Sequence, residues 1–117
     1  MLKKGPMAVP SVNLTLDKGT DFEATFNVTN SDGTAFLLSN YTATAKIRKH
    51  LAATAYKSFQ TSLTVATGEI QVSMASSITS LLTAGRNYYD VIITQSGTNK
   101  ITKVFEGMIL VNETVSV

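Results

Sequence analysis

Apolar and polar residues alternate through run after run of this chain, and that period of two limits what it can fold into. Tyr89, Val91 and Ile93 share one parity in the stretch from Tyr88 to Gln95, so they fall on one face of a strand. The polar turn Ser96-Gly97-Thr98-Asn99 follows, then a return strand from Ile101 to Phe105, an interruption at Gly107 and a continuation from Met108 to Val111. This closing stretch, Leu81 to Val117, predicts a hairpin against which the upstream strands pack.

Upstream, Val12, Leu14 and Leu16 alternate with Asn13, Thr15 and Asp17, and Lys18-Gly19-Thr20 turns the chain. From Asp21 to Thr29, Phe22, Ala24, Phe26 and Val28 share one face, with Asp21, Glu23, Thr25 and Asn27 on the other. Both runs read as half-buried antiparallel strands. Asn30-Ser31-Asp32-Gly33 is a strong turn signal, since Asp-Gly supplies a positive φ cheaply. Phe36-Leu37-Leu38 is an apolar patch expected to plug one end of the core. Tyr41 to Lys49 is a third strand, Leu51 to Ala55 a loop, and Tyr56 to Val65 a fourth strand with Phe59, Thr61, Leu63 and Val65 in phase. Ala66-Thr67-Gly68 then turns into Glu69 to Met74.

The period changes at one place. Met74, Ile78, Leu81 and Leu82 sit at helical spacing. Ser76 or Ser77 is the expected cap, Gly85 the expected end, and the short helix is expected to cross between two sheets. The sum is an all-β fold: an Ig-like antiparallel β-sandwich of about seven to eight strands, with one short helix before the Tyr88-Tyr89 strand. It lacks the Cys…Trp…Cys signature of true immunoglobulin domains, having neither residue type. Residues 1–11 are expected to be an N-terminal arm and 12–117 the sandwich domain. Pro6 and Pro10 resist helix and central-strand pairing.

Composition excludes several functions. The absence of cysteine removes a disulfide framework and thiolate metal sites. At 117 residues and 44% hydrophobic composition the chain can bury a core without such staples. A net charge of +2, with only 15% of residues charged, argues against nucleic-acid binding and suits a protein that sits against other protein. No apolar run has the length of a membrane span, and the start MLKKGPMAVPSV lacks the apolar core of a secretory leader.

No catalytic constellation is evident. His50 is the single histidine and reads as solvated beside Arg48 and Lys49. Asp21 and Glu23 share one face of one strand, which does not flank a substrate from two sides. Asp90 is expected to accept hydrogen bonds that tie down the corner before its strand. The tyrosines Tyr41, Tyr56, Tyr88 and Tyr89 form no obvious row. Lys46, Arg48 and Lys49 make the one basic cluster of the folded part, without the interleaved aromatics that single-strand stacking needs. The Asn-x-Ser/Thr triplets at Asn13, Asn27, Asn40 and Asn112 read as chance in a Thr-rich chain. Thr-rich strand edges with few lysines are suited to pairing with another chain.

From Lys18 to Val111 the chain carries Lys18-Gly19-Thr20-Asp21-Phe22, then Asp32-Gly33, then Leu38, Tyr41, Ala45 and Ile47-Arg48. After these come Gly68, Ile70, Val72 and Met74, then Leu82, Gly85 and Tyr88 to Val91, and last Gly107, Ile109 and Val111. This order resembles small Ig-like β-sandwich virion proteins of tailed bacteriophages, similar to N-terminal modules of baseplate and tail proteins. The resemblance implies a structural role in the virion, assembled in the host cytoplasm, at the tail, baseplate or neck or as capsid decoration. The implied partners are other virion proteins and copies of itself. No enzymatic activity, cofactor, metal, nucleic acid, membrane or small-molecule substrate is expected. The expected contact residues are Leu2, Lys3, Lys4, Pro6, Met7 and Pro10 of the arm, acting as a clasp, with Lys46, Arg48 and Lys49 of the domain. Phe36 to Leu38 are expected to add buried area. The alternative is a carbohydrate-binding or adhesin-like surface module.

Overall fold

A computed structural model describes residues 10–30 and 32–116. Its strands are β1 (Leu14–Asp17), β2 (Phe22–Asn27), β3 (Tyr41–Arg48), β4 (Lys57–Ser58), β5 (Gln60–Thr64), β6 (Glu69–Met74), β7 (Gly85–Gln95) and β8 (Ile101–Asn112). One helix, α1 (Ser76–Thr79), joins β6 to β7. A five-stranded sheet in the order β1-β8-β7-β3-β4 faces a three-stranded sheet in the order β2-β6-β5. All pairs are antiparallel except β1 with β8.

The alternation that identifies these strands also fills the space between them. Tyr89, Val91 and Ile93 of β7 are buried against Ile70, Val72 and Met74 of β6, with Phe26, Val28, Ala45 and Ile47 in the same cluster. The ring of Phe26 lies 4.8 Å from that of Phe105 and 6.0 Å from that of Tyr89, so one aromatic group spans both sheets. Each such large side chain contributes about 1.5–3 kcal/mol by leaving water. Phe36 and Leu38 plug one end of the core, while Leu37 between them is exposed. The two buried members are therefore not surface for a partner.

Four expectations are corrected. The first concerns β1, which runs parallel to β8, with Leu14 opposite Ile109 and Leu16 opposite Val111. The Lys18-Gly19-Thr20 turn carries the chain from one sheet to the other and does not close a hairpin. Gly19 adopts φ 77° there. The buried Thr79 hydroxyl holds this turn, accepting from the Gly19 N–H at 3.0 Å and donating to the Thr20 carbonyl at 2.8 Å.

Second, the run from Tyr56 to Val65 is two strands in two sheets. Lys57 and Ser58 pair with β3, and Gln60 to Thr64 pair with β6. Phe59 is the crossing point. Its N–H donates to the Ala45 carbonyl at 2.9 Å, and its ring packs 5.8 Å from that of Phe22. Val65 lies outside the strand, in a short 3-10 turn.

Third, β8 continues through Gly107. The irregularity lies earlier, where Val91 faces Phe105 but Ile92 faces Lys103. That bulge places Val104 and Phe105 both in the core and moves the outward positions from Lys103 to Glu106 and Met108. Gly107 serves close approach: a Cβ there would overlap the Val12 carbonyl and press on the Tyr89 ring.

Fourth, α1 has four residues, and no side chain at its own N-cap closes it. The carboxylate of Asp21 accepts from the Ser76 N–H at 2.8 Å. The helix ends at Ser80, and Gly85 instead opens β7 with φ 104°. Ile78 and Leu81 are exposed, while Thr79 and Leu82 are buried. A single turn is too short to carry an apolar stripe, and the need of the Gly19–Thr20 backbone for a partner turns Thr79 inward. The crossing between sheets is as expected.

Gly107→Ala is expected to lower unfolding stability in urea by about 1–3 kcal/mol, the usual cost of forcing a methyl group into packed structure. A stability equal to that of the parent chain would show that the Val12 segment moves aside freely.

Candidate functional site

The outward residues of the five-stranded sheet come together in rows because the strands are in register. Arg48 of β3 lies opposite Tyr88 of β7, which lies opposite Met108 of β8. In the next row Lys46 lies opposite Asp90, which lies opposite Glu106. Ser11 and Asn13, alongside β8, close one side, and Leu51 in the loop after β3 stands at the other. These rows floor an open cleft of about 480 Å³.

Most polar groups in the cleft have partners. The ammonium of Lys46 sits 4.2 Å from the ring centroid of Tyr56, and the guanidinium carbon of Arg48 lies 5.6 Å from it. Both distances fall in the range of cation–π attraction. Arg48 also donates to the Ala53 carbonyl at 3.2 Å. Lys103 pairs with Glu106 at 3.0 Å. The carboxamide oxygen of Asn13 accepts from the Met108 N–H at 3.1 Å. Asp90 has no hydrogen-bond or ion-pair partner among the described residues. Two carboxylates thus face each other across β7 and β8, and among the described residues only Glu106 has a cation beside it. Like charges directly opposite on a sheet are unfavourable.

The expected corner tie belongs to Tyr89, not to Asp90. The Tyr89 hydroxyl donates to the Val12 carbonyl at 2.6 Å. Asp90 points to the outer face, where its parity places it.

The expected contact residues separate. Lys46 and Arg48 line the cleft, whereas Lys49 turns away and donates to the carbonyls of Ala84 at 3.2 Å and Arg86 at 2.9 Å. It therefore closes the loop before β7. The carbonyl of Pro10 accepts from the Glu106 N–H at 3.1 Å, so the chain enters the sheet at the rim of the cleft. Leu2, Lys3, Lys4, Pro6 and Met7 lie outside the described residues. His50 is exposed and does not line the cleft. Among the described residues there is no group of three or more His, Cys, Asp or Glu able to hold a metal ion, and no helix long and apolar enough to cross a membrane.

Sequence reasoning missed Tyr56 and Tyr88 as neighbours of the basic residues. Tyr41 and Tyr89 face the core, while Tyr56 and Tyr88 flank Arg48 on the outer face. The available signal was parity: Tyr88 falls in the even set with Asp90, opposite to Tyr89. The cross-strand register that joins it to Arg48 and Met108 has no sequence signal.

No protein-family model matches the chain, and no curated protein does. Among solved structures it is similar to the N-terminal domain of ORF48 of phage TP901-1, with a TM-score of 0.59 and 10% sequence identity. The likeness covers 91% of this chain and 90% of that one. It is a likeness of fold.

Burial raises the Tyr89 hydroxyl from its ordinary 10.0 to about 12. The neutral form is the one the fold keeps, so its contribution is complete below about pH 10 and is lost as pH climbs towards about 12. Urea-unfolding stability is expected to fall across that window. Tyr89→Phe, which has no proton to lose, is expected to remove this part of the slope while lowering stability at neutral pH by about 1 kcal/mol. An alkaline slope unchanged in the Phe variant would contradict the assignment.

Proposed function

We propose that this chain is a bacteriophage virion structural protein that works by protein–protein contact, as a tail, baseplate or neck component or a capsid-surface decoration. The observation that carries this reading is a sandwich shared over nine-tenths of its length with a domain of a phage protein. The order of motifs from Lys18 to Val111 supports the same reading. The low charge fraction suits a surface that is covered in an assembly.

Two features suit such contacts. β2 pairs with β6 on one side and has no sheet neighbour on the other among the described residues, and its sequence FEATFN has neither lysine nor proline to blunt that edge. Residues 1–11 form an arm whose part before Pro10 clasps a neighbouring subunit, while Pro10 and Ser11 anchor it on Glu106 of its own domain, residues 12–117. The protein performs this role without turnover. The rival reading, a carbohydrate-binding surface module, draws on Tyr56 and Tyr88 sharing the outer face. It is weakened because Lys46 and Arg48 already occupy a face of the Tyr56 ring.

Mass spectrometry of particles purified from the host that carries this coding sequence tests the proposal. Peptides of the chain are expected at a fixed ratio to other particle proteins. A chain found only in the particle-free lysate would overturn the virion reading, and saturable binding on a glycan array would favour the rival.

A further inference from the structure

We propose that the outer-face cleft is the seat of the N-terminal segment of a second copy of this chain, with Leu2 on its apolar wall and Lys3 and Lys4 on its carboxylates. This deepens the contact-protein reading above and rests on it.

The argument begins with the chemistry of the cleft. Tyr88 and Met108 are adjacent in register and only partly buried. Leu51 beside them is 77% exposed, although it is a large apolar residue. This wall lies next to the Asp90–Glu106 pair. Lys103 answers Glu106. Lys46, in register with Asp90, has its ammonium on the Tyr56 ring instead. The cleft therefore offers an apolar wall beside a carboxylate that lacks a cation among the described residues. Its complement is a short segment with an aliphatic side chain followed by positive charge.

Ile47-Arg48-Lys49 has this order, but Ile47 is buried in β3 and Lys49 is held by the Ala84 and Arg86 carbonyls. Met1-Leu2-Lys3-Lys4 also has it. Its position supports exchange between copies. The Pro10 carbonyl and the Val12 N–H both bond to Glu106, which fixes residues 10–12 along β8. Because residues 10–12 run parallel to β8, going back from Val12 to Pro10 takes the chain towards Lys103, away from Tyr88 and Arg48. To fill its own cleft it would have to reverse direction. Extended residues span at most about 3.3–3.6 Å each, so the segment before Pro10 can reach about 30 Å. That exceeds the 26 Å short dimensions of the molecule. Pro6 and Pro10 lack the N–H that would pair such a segment into its own sheet. An arm of this length can therefore cross to the outer face of a neighbour.

Light scattering of the full chain over a concentration series tests this with charge reversal on either side. The parent chain is expected to self-associate. Asp90→Lys alone, and Lys3→Glu with Lys4→Glu, should each weaken association about tenfold or more, and the combination should restore most of it. Asp90 faces outward, so thermal melts of all variants should remain close to that of the parent. Loss without restoration, no loss, or a monomer at every concentration would overturn the proposal. The chain has no cysteine, so Leu2→Cys and Leu51→Cys chains can be mixed and oxidised. A covalent heterodimer is expected. A doubly substituted chain that closes on itself without dimer would assign the cleft to its own arm and overturn the exchange. Either failure leaves the presence of the chain in purified particles unaffected, so the two readings fail separately.

Discussion

The Tyr89 hydroxyl donates to the Val12 carbonyl at 2.6 Å, over the one position of β8 that has no side chain. Much of the molecule depends on that contact. A four-residue parallel edge strand is weak by itself, because its pairing is short and β8 is its one sheet neighbour among the described residues. What holds it is Tyr89 from beneath, Leu16 buried in the core, and the bonds of Val12 and Pro10 to Glu106. The hydroxyl bond contributes about 1 kcal/mol, and the burial of Leu16 about 2 kcal/mol. Gly107 makes the approach possible, since any Cβ there would push Val12 away.

From this contact the outer face follows. With β1 fixed, Ser11 and Asn13 stand beside Glu106 and Met108 and close the cleft on one side. The bulge at Val104 sets the other condition. Without the extra residue, the parity that points Lys103 outward would point Gly107 outward and drive Glu106 and Met108 into the core. One inserted residue lets the strand bury Val104, Phe105, Ile109 and Val111 while it presents a carboxylate and a thioether on the outer face. The same sheet therefore packs a core on one side and arranges a mixed apolar and acidic floor on the other.

The inner faces were legible in the sequence because burial and strand geometry share one period. Phe26 and Val28, Ala45 and Ile47, Ile70 to Met74, and Tyr89 to Ile93 all lie where alternation put them. Pairing was not legible, because alternation says nothing about which neighbour a strand finds. Leu14 to Asp17 reads the same whether it joins β2 in a hairpin or β8 in parallel, and the choice lies in a turn held by the distant Thr79. Phe59 reads as one more inward residue, yet the chain changes sheets there. The helix was misread because a stripe pattern was applied to a single turn. The cleft was legible only as fragments, since Arg48, Tyr88 and Met108 are distant in sequence and only the register makes them neighbours. Lys49 looked like a member of the basic cluster but is committed to the carbonyls of Ala84 and Arg86.

Amide hydrogen exchange at Val12 and Met108, followed by NMR, tests most directly whether the edge is held as described. The Val12 amide bonds to the Glu106 carbonyl at 2.9 Å, and the Met108 amide to the Asn13 side chain at 3.1 Å. If β1 is fixed on β8 through Tyr89 and Gly107, both amides should exchange nearly as slowly as those at the centre of β7. Exchange at Val12 as fast as at Gly97, in the turn between β7 and β8, would mean that the edge opens freely. The cleft would then have no stable wall for a partner.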